Sequence, residues 1–271
     1  PLERIKDLDE IPSPYLTGIS DKFFDGKLTP FIETNRGCPF TCSFCHTGDH
    51  YFHKLNKFSE QRVKEEIEYI GKKAGALGIT NLHLADVNFG MYPSDKKTCE
   101  FLVESKKKYG WPLQIMGTTG KNSKERVIEI TNILGNMFSV HMSAQSMDEQ
   151  VLKNIERSNI KLDHMIEVNN NLRNKGRVTH AELILPLPGE TKESFIKGLN
   201  SILNSNTSLV CIYTLMMLYG TKFKDPKYRN QFDYKVKYRI IPLNFGEYVN
   251  QRVFEQNKPP YEIESGSEVR F

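Results

Sequence analysis

Six short β-rich runs, residues 31–34, 79–85, 112–116, 138–142, 179–185 and 209–215, alternate with stretches of helical spacing. In the first such stretch Val63, Ile67, Ile70 and Ala74 fall on one face behind a capping serine, Ser59. Ser94 and Ser123 are placed to cap the next two helices, built on Leu102 and on Val127, Ile130 and Leu134. Residues 148–156, 163–175 and 191–203 continue the pattern. A strand–helix unit repeated this way calls for a parallel sheet with right-handed crossovers. An open doubly wound sheet and a barrel both satisfy the alternation, and in both the chemistry belongs at the C-terminal ends of the strands. Cysteines 38, 42 and 45, residues 86–88, 117–121, 143–146, 186–189 and 219–221 all follow predicted strands.

The 271 residues are 38% hydrophobic and 26% charged, which suits a packed core with a polar surface. No apolar run approaches the roughly 20 residues of a membrane span, and no secretory signal opens the chain. The net charge of +4 is mild, and the Lys106–Lys108 run reads as a solvated helix face, so nucleic acid is not an expected partner. The first methionine is Met91, and the chain is expected to be a piece of a longer protein. Residues 1–30 read as a lead-in segment, 31–221 as the core and 222–271 as a covering extension with a short strand at 236–241 and a break at Pro259–Pro260. Five cysteines are too few for a disulfide scaffold, so a reducing cytoplasm is the expected compartment. Cys99 and Cys211 stand alone in apolar stretches and read as small core residues.

The other three form Cys38-x3-Cys42-x2-Cys45, with Gly37 to turn the backbone at the first and Pro39 to stiffen the next step. Thiolates on one tight loop are soft metal ligands. Two occupants fit. A zinc ion needs a fourth donor, which the adjacent His46 would supply, although structural zinc sites usually join two ligand pairs. A four-iron cluster held through three irons leaves the fourth iron open for chemistry.

The triplet after a first strand, with aromatic Phe44 before its last cysteine, resembles the signature of radical S-adenosylmethionine (radical SAM) enzymes, and the likeness extends over residues 31–221. It implies an α/β fold, a partial (β/α)6 barrel with a C-terminal extension, and a [4Fe-4S] cluster on Cys38, Cys42 and Cys45. It also implies that SAM binds the open iron and that reductive cleavage yields a 5′-deoxyadenosyl radical, which abstracts hydrogen from the substrate. At the second strand's end the family carries a Gly-Gly-Glu-like stretch facing the SAM amino group. Here Asp86 and Asn88 occupy that place, a departure in letters. Ser143-Ala144-Gln145-Ser146 and Arg157 resemble the Gln-Ser…Arg arrangement of the branch containing oxygen-independent coproporphyrinogen oxidases and cobalamin-binding members. That implies Ser143 and Gln145 near the ribose and Arg157 at the SAM carboxylate. The run from Glu182 through Leu185 to Thr191 resembles the same branch's fifth-strand element, with Glu182 facing the cofactor and the backbone around Leu185 supporting the adenine.

Residues 8–18 resemble the segment preceding the radical domain of cobalamin-binding members, which implies a separate cobalamin domain in the longer protein and a methyl transfer or a related step. An electron donor such as flavodoxin or ferredoxin and a small-molecule substrate of unknown identity are the implied partners. The absence of cysteines after Cys211 argues against auxiliary clusters, and the His46–His50 stretch departs from the RNA-modifying pattern. His46, His50, His53 and His83 read as surface or core histidines. Tyr92, Asp95, Lys121 and Asn122 lie on loops placed to reach a substrate, but their types select no molecule.

Overall fold

The computed structural model describes residues 3–120, 124–238 and 268–270. Lys121, Asn122, Ser123, the end of the strand expected at 236–241 and the Pro259–Pro260 break lie outside the described residues.

Two parallel three-stranded sheets carry the architecture. The first joins β1 (Phe31–Ile32), β4 (Asn81–Leu84) and β5 (Gln114–Met116), and the second joins β6 (Val140–Gln145), β7 (Thr179–Leu185) and β8 (Leu209–Thr214). A parallel bridge between Ile115 and Phe138 links the first sheet to the approach of β6. The strands follow one another in chain order without the reversal that defines a doubly wound sheet, so the winding is that of an open barrel. The remaining short strands are local. β2 (Asn35–Arg36) and β3 (Asn56–Lys57) pair antiparallel, and β9 (Val236–Tyr238) pairs with β10 (Glu268–Arg270).

The helices pack outside, as their patterns require. α1 (Glu60–Ala76) begins where the Ser59 hydroxyl accepts from the Arg62 N–H, and it turns Val63, Ile67, Ile70 and Ala74 into a core shared with Leu82, Leu84 and Trp111. Each buried valine, leucine or isoleucine among them contributes about 1.5–3 kcal/mol. α2 (Asp95–Tyr109) departs from expectation at its cap. Ser94 makes no capping bond, and its hydroxyl accepts from Lys57 Nζ instead. The Asp95 carboxylate accepts from the N–H groups of Gly90 and Tyr92 and so fixes the loop that enters the helix. α3 (Lys124–Leu134), α4 (Glu149–Asn154) and α5 (Leu162–Arg173) follow, and α6 (Lys192–Leu203) opens on a reciprocal Thr191–Ser194 capping box.

The packed core does not stop at Thr221. Phe223 is fully buried with Val151, Ile155, Leu187, Leu215 and Met217, and Tyr228 of α7 (Pro226–Gln231) packs on the same cluster. The lead-in segment is likewise tied down. Tyr15 Oη donates to the Phe31 carbonyl, and Asp9 accepts from the Ser59 N–H. Among the described residues no helix is long and apolar enough to cross a membrane.

Candidate functional site

The three clustered cysteines sit on one loop, residues 37–55, closed at its base by the β2–β3 ribbon. Gly37 has φ +131°, and a Cβ there would stand 2.4 Å from the Lys54 carbonyl oxygen, so no other residue fits. A Cβ on Gly48 would stand 2.3 Å from the Cys42 carbonyl oxygen, which holds the far side of the loop against the second cysteine. The Cys38 N–H donates to the Phe52 carbonyl, and that of Cys45 to the Cys42 carbonyl.

Each half of the barrel grips a different arm of this loop. On the first-sheet side Asn88 Nδ2 lies 3.3 Å from Cys38 Sγ and donates to it. On the second-sheet side Arg157 Nη1 lies 3.7 Å from Cys42 Sγ, while Arg157 Nη2 donates to the Ser143 carbonyl and Nε to Asn159 Oδ1. The Ser43 N–H donates to the Ile155 carbonyl, its own carbonyl accepts from the Lys222 N–H, and its hydroxyl accepts from Tyr228. The first residues beyond Thr221 therefore hold the loop itself.

Three soft thiol donors with N–H groups aimed at two of the sulfurs fit a negatively charged sulfur-ligated centre. Among the described residues no three His, Cys, Asp or Glu side chains are gathered closely enough to ligate an ion as they stand. The fourth donor of a Cys3His zinc site is directed elsewhere. The His46 ring packs on Phe52 at 5.0 Å, and its Nδ1 lies 3.4 Å from the Tyr219 carbonyl.

Asp86 and Asn88 lie close together on the loop that follows β4 but differ in what they leave open. Asp86 is 2% exposed, and its two oxygens accept from the Thr34 N–H (2.7 Å), the Thr34 hydroxyl, the Asn35 N–H (3.3 Å) and Asn35 Nδ2 (3.1 Å). Removal from water pushes its pKa up to about 7, against the lowering effect of Thr34. Both of its oxygens are engaged by donors of the chain itself. Asn88 is equally buried, and its Oδ1 has no partner.

On the second sheet Ser143 and Glu182 are register partners, and the Ser143 hydroxyl donates to Glu182 Oε2. His141 Nδ1 lies 3.7 Å from Glu182 Oε1 and is the main cause of a Glu182 pKa below the usual carboxylate range. The His141 ring stacks on His180 at 4.5 Å, and burial lowers the His180 pKa. Cys211 pairs in register with Glu182 and is only half-buried, so it stands on this polar inner face and not in the core as its sequence suggests. Cys99 is fully buried as expected.

Gln145 carries a signal invisible in the sequence. It follows a register shift in β6, has φ +68° and buries an unpartnered Oε1. A left-handed backbone on a non-glycine residue at a strand end is a strained conformation that the surrounding packing must hold. Phe44 and Ile184 pack on the same apolar cluster beneath the cysteine loop. Strand alternation puts Ile184 on the face of Glu182, and Leu185 on the opposite face with Ala181 and Leu183. Burial lowers the Arg157 pKa, and the Cys42 sulfur works against that shift. A cavity of about 470 Å³ opens beside the loop, lined among others by Arg4, Glu33, Arg36, Tyr51 and Val87.

Comparison with known proteins bears on the family and the fold. The family model described as the radical SAM superfamily matches residues 32–202. The cobalamin-dependent radical SAM methyltransferase TokK of Streptomyces tokunonensis is 32% identical over 240 residues, covering 85% of this chain and 35% of the relative. A 2-(S-pantetheinyl)-carbapenam-3-carboxylate methyltransferase of Streptantibioticus cattleyicolor is 32% identical over 237 residues, covering 84% and 34%. The chain thus spans about a third of the length of these curated relatives. Among solved structures, the cobalamin-dependent radical enzyme OxsB with aqua-cobalamin and SAM bound has a TM-score of 0.66 at 14% identity, covering 99% of this chain and 42% of that one. TsrM from Kitasatospora setae with cobalamin and a [4Fe-4S] cluster has a TM-score of 0.60 at 17% identity, covering 72% and 36%.

Proposed function

The chain belongs to the radical SAM superfamily, and from that premise we propose that it is the radical core of a cobalamin-dependent methyltransferase acting on a polar small molecule. The observation that carries this reading is the three-thiol loop held from both halves of the barrel, with Asn88 and Arg157 N–H groups turned to its sulfurs. Cys38, Cys42 and Cys45 are the residues to hold a [4Fe-4S] cluster. Such a cluster, once bound with SAM and reduced by a donor such as flavodoxin or ferredoxin, would supply reductive SAM cleavage and with it hydrogen abstraction from the substrate.

The chain's own residues orient the cofactor. The unpartnered Oδ1 of Asn88 is suited to accept from the SAM ammonium, and the remaining N–H groups of Arg157 suit its carboxylate. Gln145 Oε1 and Glu182 offer acceptors to the ribose hydroxyls, with Ser143 and His141 holding Glu182 in place. Phe44 and Ile184 offer the adenine an apolar wall, and Leu185 contributes through its backbone. The neighbouring cavity sets Arg4, Glu33 and Arg36 among apolar neighbours such as Ile5, Leu8 and Val87, a lining that suits a small molecule with a polar group. The cobalamin belongs to the part of the longer protein that the chain does not span, since the relatives carry roughly two-thirds of their length outside the match.

Anaerobic reconstitution tests the reading. Iron and sulfide should be taken up with a brown chromophore, and dithionite reduction with SAM should yield 5′-deoxyadenosine. Replacing any one of the three cysteines by alanine should abolish both. A colourless protein carrying zinc, with no SAM cleavage, defeats the proposal. Bound corrinoid in the full-length protein tests its cobalamin part.

A further inference from the structure

The carboxylate at the end of β4 stands where the family's SAM-facing stretch is expected, yet its surroundings assign it different work. Ionised, it offers about four lone-pair sites. Thr34 takes two of them with its N–H and hydroxyl, and Asn35 takes two with its N–H and Nδ2. Nothing remains for an ammonium group.

Where those donors sit in the chain is the second observation. Only Glu33 separates Thr34 from the end of β1, and Asn35 is the first residue of the ribbon that closes the cysteine loop, paired in register with Lys57. The Thr34 carbonyl accepts from the Phe58 N–H, so the same residue grips both ends of the loop. Gly37 and Cys38 come two and three residues after Asn35. The chain must therefore leave the sheet at an angle set by Asp86 before it reaches the first thiol. Neighbouring Asn88 completes the arrangement by contacting Cys38 Sγ itself at 3.3 Å.

We propose that Asp86 is a positioning residue that acts through Thr34 and Asn35 to aim the Cys38 arm of the loop, and that it does not contact SAM. The inference rests on the reading of the cysteines as cluster ligands. Groups that orient metal ligands from behind typically affect metal affinity or activity by roughly 10–100-fold when removed.

The experiment compares wild type with Asp86→Ala, Asp86→Asn, Thr34→Val and the Asp86→Ala/Thr34→Val pair. Thr34→Val keeps its shape and deletes one donor, so it remains informative if Asp86→Ala does not fold. Iron and sulfide uptake should drop severalfold in Asp86→Ala and less in Thr34→Val. Asp86→Asn, which keeps one acceptor oxygen, should recover part of the loss. The electron paramagnetic resonance signal of the reduced cluster should differ from wild type in the same order. The pair should be no worse than Asp86→Ala alone, because both changes break one linkage. SAM affinity per loaded chain should stay near the wild-type value.

A fully loaded Asp86→Ala protein with the wild-type signal and greatly weakened SAM binding overturns the inference, as does a silent Thr34→Val. If wild type itself takes up no iron or sulfide, the functional reading fails on its own. The aiming role is then decided by the alkylation rate of Cys38 in the metal-free proteins. It should rise in both single variants, and equal rates in all of them refute the role.

Discussion

Two carboxylates near the site, one from each half of the barrel, behave as opposites. Asp86 in the first half is sealed from water, surrounded by four donors from one stretch of chain, and has its pKa pushed up to about 7. Glu182 in the second half lines the inner face, meets one hydroxyl and one imidazole, and has its pKa held down. The same functional group is thus a structural clamp where desolvation dominates and a ready acceptor where a basic partner dominates. The loop that carries the cysteines joins the two halves, taking its Cys38 arm from the first and its Cys42 arm from the second.

The largest effect that tests this contrast is on stability. Asp86→Ala takes an acceptor from four buried donors, of which only Asn35 Nδ2 keeps another in Thr34 Oγ1, a loss of about 3 kcal/mol when the cost of unsatisfied buried groups is applied with partial relaxation. Glu182→Gln keeps an acceptor for Ser143 and should cost less than about 1 kcal/mol. Denaturant unfolding of both variants measures the difference. A Glu182 variant as damaged as the Asp86 variant removes the distinction between clamp and acceptor.

What the sequence made legible follows the same division. Periodicity located all six barrel strands, and Ser59 announced the start of α1 because a cap is a local device. The cysteine spacing was equally local. The work of Asp86 was hidden, since its donors lie about fifty residues earlier and meet it only when β1 and β4 pair. Gln145's positive φ arises from a register shift between strands, and Phe223 and Tyr228 reach the loop from a region whose composition reads as mere covering. The polar inner face of β6–β8 was missed in part because Cys211 reads as apolar, although alternation from Glu182 through the register of β7 and β8 would have placed it there.

A second test uses the signs of the two shifts. The Asp86 value lies above its ordinary 3.8, so the folded state holds the proton more tightly. Its contribution is full below about pH 4 and is lost as the pH rises through about 7. The Glu182 value lies below its ordinary 4.5, so its contribution is full above that pH and is lost as the pH falls through the folded value. Unfolding free energies of wild type, Asp86→Asn and Glu182→Gln across about pH 3 to 8 should separate the two. The Asp86→Asn deficit should narrow toward high pH, and the Glu182→Gln deficit should narrow toward low pH. Parallel curves for the two variants contradict the opposed environments.

The finest test isolates the partner that keeps Glu182 ionised. His141 is the largest cause of the lowered value, ahead of the burial that opposes it, and the Ser143 hydroxyl comes after both. His141→Phe keeps an aromatic ring to stack on His180 and removes the nitrogen facing the carboxylate. The Glu182 pKa should then climb toward 4.5, and the His180 pKa should climb as well, because His141 contributes to lowering it. Ser143→Ala should move Glu182 in the same direction by less. Carboxyl and imidazole titrations by nuclear magnetic resonance read both groups in one sample, and the stability change itself should stay within about 1 kcal/mol. A Glu182 that titrates unchanged in His141→Phe means that the strand hydroxyl alone holds it, and the imidazole pair then belongs to something other than the acceptor.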